Sequence, residues 1–145
     1  MKRQRTAVGT AIALALAFAP SRSLAADDQP CGHIDRLIQE AATDFHAIAA
    51  PSPGNRQGVS LALPGAKECR LDDAVYECEW VVESPAKGIQ EFEAFAGSLA
   101  TCLKSKGFDI DQQPGLFQAV RRGIASVVAG WSREFLTINL QVAKE

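Results

Sequence analysis

Apolar residues recur every three or four positions between Ile34 and Ala49. Ile34, Leu37, Ile38, Ala41, Phe45, Ile48 and Ala49 form one stripe, and Asp35, Arg36, Gln39, Glu40, Thr43 and Asp44 fill the other side. This period predicts an amphipathic helix over residues 33–49, ended by Pro51. The stretch Pro51 to Gly58 reads as a turn-rich loop. Val59-Ser60-Leu61-Ala62-Leu63 alternates and predicts a strand, stopped at Pro64-Gly65. Lys67 to Leu71 and Val75 to Ser84 then read as the arms of a hairpin. In the second arm Tyr76, Cys78, Trp80 and Val82 share one face, and Glu77, Glu79, Val81 and Glu83 share the other. Such period-two alternation marks a sheet with one buried and one wet face.

A second helix is predicted to start at Ser84-Pro85, with proline in its first turn. Its stripe is Ile89, Phe92, Phe95 or Ala96, Leu99, Cys102 and Leu103. Lys104 and Lys106 suit its negative end, and Gly107 suits the position just past it. Phe135 to Ala143 alternates and reads as a strand. Residues 116–131 fit both patterns: Leu116, Phe117, Val120, Ile124, Val127, Val128 and Trp131 sit at helical spacing, while Gly123, Gly130 and Ser126-Val127-Val128 favour strands. Strands, with a hairpin through Ser132-Arg133-Glu134, are the preferred reading. The expected fold is α+β, in the order helix, strands, helix, strands. An antiparallel sheet of about four or five strands would carry both helices on one face.

The first 25 residues have a different character. Met1 to Arg5 is positive, Thr6 to Ala19 is uncharged and mostly apolar, and Ser23-Leu24-Ala25 offers small residues where a signal peptidase reads. The expectation is a secretory signal peptide cleaved after Ala25, with Ala26 as the next choice. An apolar run of about 14 residues is short of the ~20 needed to span a bilayer. Residues 26–145 would then be one small domain, periplasmic or secreted, with no membrane insertion. The chain has 15 Lys+Arg and 17 Asp+Glu; the leader takes Lys2, Arg3, Arg5 and Arg22, so 11 minus 17 leaves −6. That balance disfavours nucleic acid, whose phosphates call for basic residues.

Four cysteines in an exported chain predict two disulfides. If Asp73 and Ala74 form a two-residue turn, Cys69 lies directly opposite Cys78, and Cys31 is left to Cys102. In the same register Arg70 opposes Glu77. No C-x-x-C redox motif occurs, and the cysteine spacing does not suit zinc.

No catalytic signature is present. His33 and His46, on the predicted helix, would be about 20 Å apart and point to different sides. Glu77, Glu79 and Glu83 recur at ~6.6 Å steps along a strand, which overlaps the spacing of glycosidase carboxylates. A solvated acidic face, however, lacks the apolar setting that raises a catalytic carboxyl's pKa. There is no nucleophile elbow or phosphate loop, and no cofactor or metal is called for. Trp80 and Trp131 read as core residues, and Arg121-Arg122 as a solvated turn. The expected function is therefore that of a non-catalytic interaction protein of the cell envelope, inhibitor-like or immunity-like. Glu77, Glu79, Glu83 and Arg70 are its candidate partner-binding residues. The alternative is a small periplasmic hydrolase using a glutamate or histidine in a cleft. Neither the identity of a partner nor the oligomeric state is written in the pattern.

Overall fold

A computed structural model of the chain describes residues 30–50 and 57–145. The predicted leader and most of the loop before Gly58 lie outside the described residues. Among the described residues two α-helices and eight β-strands follow one another as α1 (Pro30–Ala41), β1 (Ala49–Ala50), β2 (Gln57–Val59), β3 (Glu68–Asp72), β4 (Val75–Val81), α2 (Pro85–Lys104), β5 (Asp109–Gln113), β6 (Leu116–Arg121), β7 (Ala125–Ser132) and β8 (Thr137–Lys144). All strands join one antiparallel sheet in the order β1-β2-β3-β4-β8-β7-β6-β5. Each half of the chain is thus a helix followed by a four-strand meander. The halves meet where their last strands, β4 and β8, pair at the centre. The expected α+β class holds, but the sheet is larger than the four or five strands expected. The added strands are the two-residue β1, the edge strand β5, whose single apolar residue gives no alternation signal, and one gained because residues 116–131 divide in two. Residues 116–131 are strands, β6 and β7.

The first helix is shorter than predicted. It stops at Ala41, and residues 42–48 run in turns. Asp44 and Phe45 take left-handed backbone conformations (φ 52° and 60°), and the Phe45 N–H bonds the Glu40 carbonyl at 2.9 Å. Thr43 and Asp44 are weak helix formers, and Asp tolerates the left-handed region. Phe45 and Ile48 nevertheless stay fully buried, so the apolar spacing served the core without a helix. The strand expected at residues 59–63 lies earlier, at Gln57–Val59.

The second helix begins as expected. Ser84 caps it, accepting from the Lys87 N–H through its hydroxyl, and Pro85 follows. At the other end Phe108 N–H bonds Leu103 C=O at 3.3 Å and Gly107 N–H bonds Lys104 C=O at 3.2 Å, around a glycine at φ 77°.

One face of the sheet forms the core. Tyr76, Cys78 and Trp80 of β4 align with Val142, Leu140 and Ile138 of β8. Val127 and Ala129 of β7 continue two of these rows, followed by Ala119 and Phe117 of β6. All are buried, with Ile34 and Leu37 from α1 and Phe92, Phe95, Leu99 and Leu103 from α2. Small residues Ala119, Ala125 and Ala129 lie on the strands that α2 crosses, which lets its large side chains approach. Gly88 serves the same need from the helix side. A Cβ there would lie 2.2 Å from the Trp131 ring. Gly88→Ala should lower stability by about 1 kcal/mol or more, despite alanine's better helix propensity, because the ring must swing away. Tryptophan emission and a thermal melt would check this.

Both disulfides have the expected partners. Cys69 and Cys78 are paired residues across β3 and β4, with Cα atoms 4.1 Å apart. Cys31 and Cys102 join the start of α1 to the end of α2, 71 residues apart in sequence. The Lys106–Asp35 ion pair at 2.9 Å closes the same joint. The β3–β4 turn has Asp73 at φ 44° and Ala74 at φ 62°, the type I′ geometry that suits a two-residue hairpin. Alanine is strained there. Ala74→Gly should stabilise the protein by about 1 kcal/mol, read from its urea midpoint.

Residues 60–66 cross the rim of the core as a strap. The Tyr76 hydroxyl donates to the Leu61 carbonyl at 2.7 Å, and the Trp80 indole N–H donates to the Pro64 carbonyl at 3.0 Å. Leu63, between them, is buried. Burial raises the Tyr76 hydroxyl well above the ordinary tyrosine range. The neutral phenol is therefore favoured in the fold, so its contribution is complete below about pH 10 and declines as pH rises beyond it. Stability should fall above pH 10 by up to about 1.4 kcal/mol per unit, a slope that Tyr76→Phe removes. Tyr76 is the only tyrosine in the chain, so its ionisation can be followed directly by absorbance.

Candidate binding face

The helices cover one side of the sheet, and the alternation along every strand delivers the intervening residues to the other. The strand register lays these outer residues in rows. One row runs Arg70, Glu77, Gln141, Val128, Gln118, Asp111, and the next runs Glu68, Glu79, Asn139, Gly130, Leu116, Gln113. A third runs Val75, Ala143, Ser126, Val120, Asp109. No described element packs over these rows.

Three of the four residues expected to form a partner surface come together here. Arg70 Nη2 lies 2.7 Å from Glu77 Oε2, across β3 and β4 as the hairpin register required. Gln141 of β8 donates from Nε2 to the other Glu77 oxygen at 2.7 Å. Arg70 is also 3.7 Å from Glu68, and Lys67 is 3.8 Å from Glu79. Glu83 is set apart. It lies beyond the end of β4, fully in solvent, and pairs with Lys87 in the first turn of α2. The hydrogen bond and charge of Lys87 lower the Glu83 carboxyl and raise the lysine in turn. Each of the three glutamates thus has a cation of this chain beside it.

Farther across the sheet the composition changes. β6 and β7 present Leu116, Val120 and Val128, and the edge strand β5 presents Asp109 and Asp111. Leu116 is 42 % exposed. Among the described residues no ion pair involves either aspartate. Sequence reasoning missed this half of the face. Its signals were the two-residue step from Asp109 to Asp111 and the Pro114-Gly115 dipeptide, which turns the chain from β5 into β6 with Gly115 at φ 76°.

The histidines are not brought together. His33 is half-buried on α1, whereas His46 is exposed in the turns after it, not on a continuous helix. His33 and Arg36 line a shallow, open hollow of about 350 Å³ with Gly32 and Leu61. Among the described residues no group of three metal-ligating side chains occurs, and no helix is long and apolar enough to cross a membrane. No protein-family model, curated protein or solved structure matches this chain.

Proposed function

We propose that this protein is an exported, non-catalytic binding module of the cell envelope, whose contact surface is the outer face of its sheet. The observation that carries this reading is the one-sided architecture: the helices, the turns after α1 and the strap 60–66 bury one face of the eight-strand sheet, and among the described residues no element lies over the charged and aliphatic surface of the other. Rigid strands hold such side chains in fixed positions, which favours recognition of a partner. Arg70, Glu77 and Glu79 form one border of the surface, and Glu83 stands at its end. Two disulfides suit an oxidising compartment, in keeping with the leader-like first 25 residues.

Site-specific photocrosslinking in the expressing cell tests the reading. A photoreactive residue at Glu79 or Val128 should give a discrete adduct, and one at exposed Gly97 on α2 should not. The reading is lost if the outer positions give no adduct, or if all three give the same set.

A further inference from the structure

The outer face has a transverse order. Carboxylates of β3 and β4 lie on one side, with Glu77 and Glu79 nearest the middle and Val75 and Val81 at the two ends of β4. The neutral Gln141, Asn139 and Ala143 of β8 come next, then Val128, Val120 and Leu116 on β7 and β6, and finally Asp109 and Asp111 on β5. From β4 to β5 there are four strand spacings, about 19 Å in all. A helix with its side chains is about 10–12 Å wide. One helix laid between β7 and β6 is centred about 12 Å from β4 and about 7 Å from β5, so its flank stops about 6 Å short of Glu77 and Glu79 and about 2 Å short of Asp109 and Asp111, both within reach of lysine or arginine stems. A second copy of this chain does not fit, because two such faces would set Glu77, Glu79, Asp109 and Asp111 against their own kind.

Resting on the reading of this face as the contact surface, we infer that its partner presents a cationic amphipathic helix. The apolar stripe of that helix lies on Leu116, Val120 and Val128. Its basic side chains reach Asp109 and Asp111 on one side and Glu77 and Glu79 on the other. Asp109 and Asp111 dominate the charge contact, because the cations Arg70 and Lys67 already engage the glutamates, whereas Asp111 accepts from the neutral Gln113 amide at 3.1 Å.

Two synthetic helical peptides of about 15 residues with the same leucine stripe, one flanked by lysines and one by glutamates, provide the test. Each is titrated into the isotopically labelled protein with both disulfides intact, and binding is read by calorimetry and amide shifts. The lysine peptide should bind saturably, one to one, with shifts centred on β5, β6 and β7. Asp109→Asn with Asp111→Asn should weaken it at least about tenfold, and raising salt from 50 to 500 mM should act in the same direction. Val128→Asp should also weaken it, and Glu93→Gln, at an exposed position of α2 on the other side of the sheet, should leave it unchanged. The glutamate peptide should not bind. Equal binding of both peptides, no binding of the lysine peptide, or shifts confined to the helices would each overturn the inference. If only Glu77→Gln with Glu79→Gln weakened binding, the placement on β5–β7 would fall while the outer-face reading stood. That reading is decided separately by the crosslinking from Glu79 and Val128.

Discussion

Replacing Cys31 and Cys102 together with alanine is expected to lower the unfolding free energy by about 4 kcal/mol. The bridge closes a loop of 71 residues, so its loss returns much conformational freedom to the unfolded chain. It also holds the start of α1 to the end of α2, two elements from different halves of the chain. The Lys106–Asp35 pair at the same joint cannot replace it, since both side chains are 35 % exposed and such a pair is worth at most about 1 kcal/mol. The Cys69–Cys78 bridge spans only nine residues inside a hairpin that its strand partners already hold. Its removal should cost less, about 2.5 kcal/mol in the same chain-entropy model. Urea titrations of the two double variants test the order. Equal costs, or the reverse order, would contradict the loop-closure account. Neither change touches the outer face, so both variants should keep that face intact while folded.

Tyr76→Ala should be about as damaging, at 3–5 kcal/mol. The ring is fully buried, packs 5.9 Å from the Phe45 ring and anchors the strap through the Leu61 carbonyl. Tyr76→Phe keeps the packing and loses only the hydroxyl, so it should cost about 1 kcal/mol. Hydrogen exchange separates the two effects. Tyr76→Phe should raise exchange mainly in residues 60–66, where Trp80 alone would still hold Pro64. Tyr76→Ala should raise it across the β3–β4 half of the core as well. A uniform effect from both variants would mean that the strap is not held by this hydroxyl.

The two disulfides show how far local pattern reached. Asp73-Ala74 between two strand-like arms fixed the hairpin register, and the register alone placed Cys69 opposite Cys78 and Arg70 opposite Glu77. The α2 boundaries were equally legible, because Ser84, Pro85 and Gly107 each do something at a helix end that few other residues can. These are short-range constraints, written within about ten residues of where they act.

Residues 33–49 show where the pattern misled. Phe45 and Ile48 carry helical spacing, yet Asp44 and Phe45 turn left-handed so that the chain can reverse into β1. Periodicity records which residues face the core, and here a series of turns meets that demand as well as a helix does. β5 was invisible for the opposite reason. Asp-Ile-Asp-Gln-Gln is an edge strand with its polar side chains in water, and its existence depends on pairing with β6 rather than on its own burial pattern.

The sequence by itself determined the α+β class, the cysteine pairing, the second helix and the wet side of β4. Those follow from hydrophobic period, turn chemistry and caps, all of them local. Tertiary structure decided the eight-strand sheet and its central β4–β8 pairing, which joins segments some sixty residues apart. It also decided which outer residues become neighbours: Gln141 meets Glu77, and Val128 meets Gln118 beside Asp111, only because non-adjacent strands share a register. A strand's own alternation tells which side each residue faces; what stands next to it across the sheet is set by long-range pairing.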